Sequence, residues 1–197
     1  MGRVLLFIGL ALVALVMAAV AVTLILRPKP YRVPSEAMTP TLKVGDRVFG
    51  TDVSSPERGQ IVVFHPPSAA VSSVSDDAAC GAPRRRGAPC ARPSPGSSDV
   101  KFVSRVVALP GDRVKVVDNR AYVNGRRASE PYVSAAGECG ELCNLPREVE
   151  VLPGHFFVMG DNRGASLDSR AWGPVRKAAI LDQVRLTFWP PGSIGTP

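Results

Sequence analysis

Between Val4 and Leu26 the chain carries no charged residue, and only Gly9 and Thr23 depart from apolar or alanine residues. At about 1.5 Å rise per residue, a helix of this run can cross a hydrocarbon core of about 30 Å. A cleaved secretory signal would have a shorter apolar region, roughly 7–15 residues, ending in small residues. Here Leu24-Ile25-Leu26 runs directly into Arg27-Pro28-Lys29-Pro30, which reads as an uncleaved anchor. Residues 1–32 are therefore expected to be a cytoplasmic tip, a transmembrane anchor and a basic stalk, with residues 33–197 as a separate domain. A lipid bilayer is the first expected partner.

Orientation draws conflicting signals. Arg3 precedes the run, and Arg27, Lys29 and Arg32 follow it, so flank charges give a tie or a weak preference for a cytoplasmic carboxyl domain. The cysteines favour the opposite side. Cys80 and Cys90 fall in one loop, Cys139 and Cys143 in another, and an even number in loops reads as two local disulfides outside the cell. Pairs 80–90 and 139–143 are the nearest in sequence. Cys-x9-Cys with Cys-x3-Cys matches no common zinc spacing, so neither a metal nor a cofactor is expected. The net charge of +7 suits an anionic lipid surface. Nucleic acid is not an expected partner, because no finger spacing, basic helix or aromatic stacking pattern accompanies that charge.

The domain itself reads as all-β. The 18 Gly and 19 Pro residues imply many turns. Val44–Phe49, Gln60–Phe64, Lys101–Leu109, Arg113–Val117, Arg120–Val123, Glu148–Val151, His155–Met159 and Ile180–Trp189 have strand character. Asp118-Asn119 and Asn124-Gly125 are hairpin signals. Pro66–Ser98 is poor in core residues, contains Arg84-Arg85-Arg86, and reads as a flexible insertion. Past the anchor, no helix of clear period is visible, apart from a short turn near Arg176–Leu181.

Polar chemistry concentrates in Gly160–Arg170, where Asp161, Asn162, Arg163, Asp168, Ser169 and Arg170 follow an apolar strand. Taken alone, such a loop is as consistent with a rigid structural element as with an active site. Four ordered boxes decide between them. "PSEAMTPTL", "GQIVVF", "SRVVALPGD" and "GDNRGASLDSRAWGPV" together resemble type I signal peptidase, the membrane-bound serine protease that removes secretory signal peptides. The resemblance spans Val33 to Trp189 apart from the insertion, and implies a mostly β, antiparallel fold behind one N-terminal transmembrane helix. It also implies a single-pass protein of the cell membrane with its domain outside the cytoplasm.

Two positions depart from the family pattern. The nucleophile slot, a Ser before the Met, holds Ala37, and the base slot, a Lys before the Arg, holds Ser104. A methyl group cannot attack a carbonyl, and a serine hydroxyl is too weakly acidic and basic to replace a buried neutral amine. Either loss alone would cost about 10⁴–10⁶ in turnover, and the second adds little to the first. The resemblance gives Ser35 an oxyanion-hole role beside the backbone N–H of residue 37. It gives Met38, Arg105, Asp161, Ser166, Asp168 and Arg170 supporting roles, and places Val33, Pro34, Phe102 and Val103 along the substrate groove. The family's Asp-Asn before Ser166 is Gly164-Ala165 here. If Ser35 lies on a strand, it shares a face with residue 37, about 6.6 Å away.

The expectation is a non-hydrolytic homologue that binds signal peptides of preproteins or a catalytically active sibling. The alternative is an active peptidase rewired through a nucleophile such as Ser35 or Ser104, which would need a base. Lys101 is the nearest lysine in sequence to Ser104. His65 and His155 have aliphatic neighbours and read as structural.

Overall fold

The computed structural model describes residues 2–70, 93–134 and 144–197. Cys80, Cys90, Cys139, Cys143 and Arg84–Arg86 lie outside the described residues, and with them the expected disulfides. Helix α1 (Gly2–Leu26) covers the apolar run, and its side chains at 7–22 are exposed. Among the described residues, no helix is long and apolar enough to cross a membrane.

Among the described residues eleven strands follow: β1 (Lys29–Arg32), β2 (Arg47–Asp52), β3 (Ile61–Phe64), β4 (Phe102–Ala108), β5 (Arg113–Val117), β6 (Arg120–Val123), β7 (Arg126–Arg127), β8 (Leu145–Glu150), β9 (His155–Met159), β10 (Val175–Arg176) and β11 (Ile180–Trp189). They form a seven-stranded sheet, β1-β2-β11-β3-β4-β9-β10, and a four-stranded sheet, β7-β6-β5-β8. Every pairing is antiparallel. The sheets share a core in which Val107, Ala108, Phe157 and Met159 meet Val114, Val116, Leu145 and Val149. The β5–β6 turn puts Asp118 and Asn119 at φ 46° and 66°, as a tight hairpin of this hand requires.

Several sequence expectations are corrected. Residues 29–32 are not a free stalk. Tyr31 pairs with Val48, and Arg32 with Arg47. Lys29 Nζ donates to Asp52 and Asp182, at 2.8 and 3.2 Å, and the Tyr31 hydroxyl donates to Asp182. Burial, reinforced by the Asp182 bond, raises the Tyr31 phenol above its usual range. Strand β2 starts at Arg47 rather than Val44, because Lys43–Asp46 closes a turn. Gly45 there has φ +89°, and the Lys43 N–H donates to the Asp46 carboxylate at 2.8 Å. Strand β8 runs from Leu145 to Glu150, earlier than the expected Glu148–Val151. The described ends of the expected insertion are packed: the Ser98 N–H donates to Pro66 O, and Ser94 Oγ donates to Trp172 O at 2.8 Å.

A second one-turn helix, α2 (Ser169–Trp172), lacks the length to show periodicity. Its boundary signals are nonetheless present in sequence. Asp168 caps it by accepting from the Arg170 N–H, and Gly173 ends it at φ 84°.

The β4–β5 turn yields a pH prediction. Burial pushes the Asp112 carboxyl up, but bonds from Leu109 N–H, Arg58 and Asn124 outweigh it and hold its pKa below the ordinary value. A lowered folded pKa gives stability that is present above the unfolded value of about 3.9 and lost as pH falls through the folded one. In melting curves recorded from pH 6 to pH 2.5, Asp112→Asn is expected to flatten the acid limb. An unchanged limb would remove Asp112 from the acid response.

Candidate active site

The box that opens on Pro34 does not continue as a strand. Ser35 is extended, at φ −144° and ψ 172°, and Glu36–Met38 then winds into a single 3-10 turn. The expected strand alternation between Ser35 and residue 37 is thereby corrected. Two anchors hold the turn. Met38 is buried in a cluster with Val33, Leu42, Ile61 and Val103. On the other side, Ala37 O accepts from Asn162 N–H at 3.0 Å, tying the turn to the polar loop.

Gly160 is the hinge of this contact. A Cβ on it would collide with both Ser166 Oγ and Ala37 O, so only glycine lets the turn and loop approach this closely. The β4–β9 register pairs Arg105 with Met159. One further step sets Ser104 across from Gly160, where the chain leaves the sheet. Ala37, Ser104, Gly160 and Ser166 are therefore gathered from three separate boxes. Ser104 is 2% exposed, and the buried Ser166 Oγ has no hydrogen-bond partner among the described residues.

Three buried ion pairs support this spot. Arg105 grips Asp161 through Nε and Nη2, at 2.9 and 2.7 Å, and also donates to Gly59 O at 2.7 Å. Its guanidinium lies 3.9 Å from the Tyr132 ring centroid. Burial first, and then the nearby Glu130 carboxylate, raises the Tyr132 phenol above its usual value. Thr41 Oγ1 donates to the second Asp161 oxygen at 2.6 Å, linking the clamp back to the first box. Arg163 pairs with Glu130 and donates to Gly160 O at 3.0 Å. Arg170 pairs with Asp168 at 2.8 Å and donates to the carbonyls of Arg163 and Ser166, while Asp168 accepts from Gly160 N–H. Ion pairs this deeply buried require full hydrogen bonding to offset desolvation, and these have it.

The structure thus brings together Ala37, Met38, Ser104, Arg105, Asp161, Ser166, Asp168 and Arg170. The groove residues divide. Val33 and Val103 are core side chains, 1% and 8% exposed, and Val33 N–H and C=O are taken by Asp46 and Gly45. Pro34 is exposed. Phe102 is half-buried, packing edge-on against Phe64 and Trp172. On the β3 side, Phe102, Val103 and Ser104 pair with Phe64, Val63 and Val62. The β9 pairing stops at Arg105, so these three residues have no strand on their other side among the described residues.

Neither Ser35 nor Ser104 has a lysine or histidine partner among the described residues. Lys101 Nζ lies 6.0 Å from the Tyr31 ring centroid, His65 Nδ1 is 3.1 Å from Val100 O, and His155 Nδ1 is 2.9 Å from Pro153 O. No group of three or more His, Cys, Asp or Glu side chains is placed to hold a metal among the described residues. Glu130, Thr41 and Tyr132 are not singled out by the sequence. Gly160 follows an apolar strand and opens a polar loop, which is a usable signal; the other three carry none.

A β-sheet scaffold with this box order defines a peptidase family. The family model described as signal peptidase, peptidase S26, matches residues 4–189, and the chain belongs to that family. It is, more narrowly, a homologue of signal peptidase I. It is 32% identical to a probable signal peptidase I-2 of Synechocystis sp. over 194 residues, covering 95% of this chain and 75% of that one. It is 31% identical to signal peptidase IB of Staphylococcus aureus, covering 82% and 78%. A solved signal peptidase I from Enterococcus faecalis aligns at 23% identity and a TM-score of 0.41, over 67% of this chain and 98% of that one.

Proposed function

We propose that this chain is a membrane-anchored member of the signal peptidase family that holds signal peptides of preproteins without cutting them. Ala37 occupies the nucleophile slot and Ser104 the base slot. The observation that supports this reading is the buried Ser166 hydroxyl, which has no hydrogen-bond partner among the described residues and lies against Gly160, the residue that follows β9 on the side of Ser104. A lysine side chain reaching that hydroxyl would satisfy it, and serine at 104 does not. The β4 edge at Phe102–Ser104 supports the binding half, since an extended peptide can add there backbone to backbone. Ser35 and the backbone N–H of residue 37 are oxyanion donors that survive the loss of the nucleophile. The helix Gly2–Leu26 serves as the anchor, with the β domain outside the cytoplasm, and a catalytically active sibling is a second partner for the same surface.

The test uses purified full-length chain with a preprotein whose signal ends in small residues at the first and third positions before the cut. Co-migration on a sizing column without cleavage is expected. Cleavage that disappears on Ser35→Ala would overturn the non-hydrolytic reading and establish a rewired nucleophile.

A further inference from the structure

A cleft of about 710 Å³ opens between the Arg58 turn and the β6–β7 hairpin, and neither Ala37, Ser104 nor Ser166 lines it. Its floor is apolar, made by Val107, Val123, Ala128 and the Tyr132 ring. Its rim carries Arg58, Arg126 and Arg127. The β6–β7 register pairs Arg126 with the buried Val123, which puts Arg126 on the floor's side of the hairpin.

The charges at this rim are unbalanced. Arg58 spends itself on Asp112 at 2.7 Å. The one acidic residue in the lining, Glu130, is buried and committed to Arg163. Arg126 and Arg127 are exposed and have no carboxylate partner among the described residues. Solvated surface arginines are commonplace. Guanidinium groups left unneutralised beside a concave apolar floor are less so, because the low-dielectric wall strengthens their field. Planar guanidinium donors match phosphate and carboxylate oxygens, and the cleft falls in the size range of small-molecule sites.

We propose that this cleft binds an anion with a compact apolar body, its phosphate or carboxylate head on Arg126 and its body against Val107, Val123 and Tyr132. This inference goes beyond peptide binding at the β4 edge and does not depend on whether the chain cleaves.

Isothermal titration of the full-length chain in neutral detergent tests it. The probes are phenyl phosphate, phenylacetate, inorganic phosphate and phenol, which separate the head from the body and one head from the other. Phenyl phosphate or phenylacetate is expected to bind about tenfold or more tightly than either fragment, since each fragment lacks half the contacts. Arg126→Ala is expected to lose that binding about tenfold, and Arg185→Ala, at an exposed arginine outside the cleft, to keep it. Ala128→Trp, which fills the floor without altering charge, should give the same loss by a different route. Phenol or inorganic phosphate binding as tightly as the combined probes would overturn the proposal. So would wild-type affinity in both the arginine and the Ala128→Trp variants.

Discussion

Ala37→Ser combined with Ser104→Lys is expected to convert the chain into a working preprotein peptidase, with turnover rising about 10⁴–10⁶-fold over the parent. The serine supplies the missing oxygen and the lysine the missing amine. The surroundings of residue 104 are buried and lie next to the apolar Val62, Val103 and Val106, so an amine there is desolvated and its neutral form favoured. Ser166 Oγ, otherwise unpaired, would orient it. Each single variant should remain near background, because nucleophile and base act as a unit. The check is a gel-based cleavage assay of all four proteins on one preprotein. A folded double variant that stays silent would mean that the groove no longer presents a scissile bond to residue 37.

Asp161→Asn is the change expected to cost the most stability. The substitution keeps the shape but removes the charge that faces Arg105, whose side chain is 8% exposed while that of Asp161 is fully buried. Breaking one side of a buried pair typically costs about 3–5 kcal/mol, because the surviving charge stays desolvated. For a domain of this size that corresponds to a fall in melting temperature of roughly 10 °C. Thr41 loses its charged acceptor as well, so the first box should loosen from the polar loop. Arg105→Met/Asp161→Leu should recover much of the loss by removing both charges together. Thermal unfolding by circular dichroism measures both variants; an Asp161→Asn curve matching the parent would show that the clamp contributes little.

The strands were legible where a β-branched or aromatic run meets a strong turn. His155–Met159 and Ile180–Trp189 fall where the sequence places them, and the Asp118-Asn119 turn forms from residues that tolerate positive φ. What stayed hidden depends on contacts between distant residues. Glu130 meets Arg163 across 33 positions and Thr41 meets Asp161 across 120, and nothing in the local sequence around Glu130 or Thr41 signals a partner. The 3-10 turn at Glu36–Met38 is too short to carry a period, so nothing in the sequence separates it from an extended segment after Ser35. The replacements at 37 and 104 are visible in the letters alone. That Ser166 was left without a partner is visible only once three boxes fold together.

Only Arg27 and Pro28 lie between the end of helix α1 and strand β1. Fully stretched, two residues reach roughly 7 Å. Because Lys29 and Tyr31 weld β1 to its neighbours, this leash cannot be paid out by peeling the strand away without breaking their bonds to Asp182. Whatever fixes the helix therefore dictates the altitude of the whole β body.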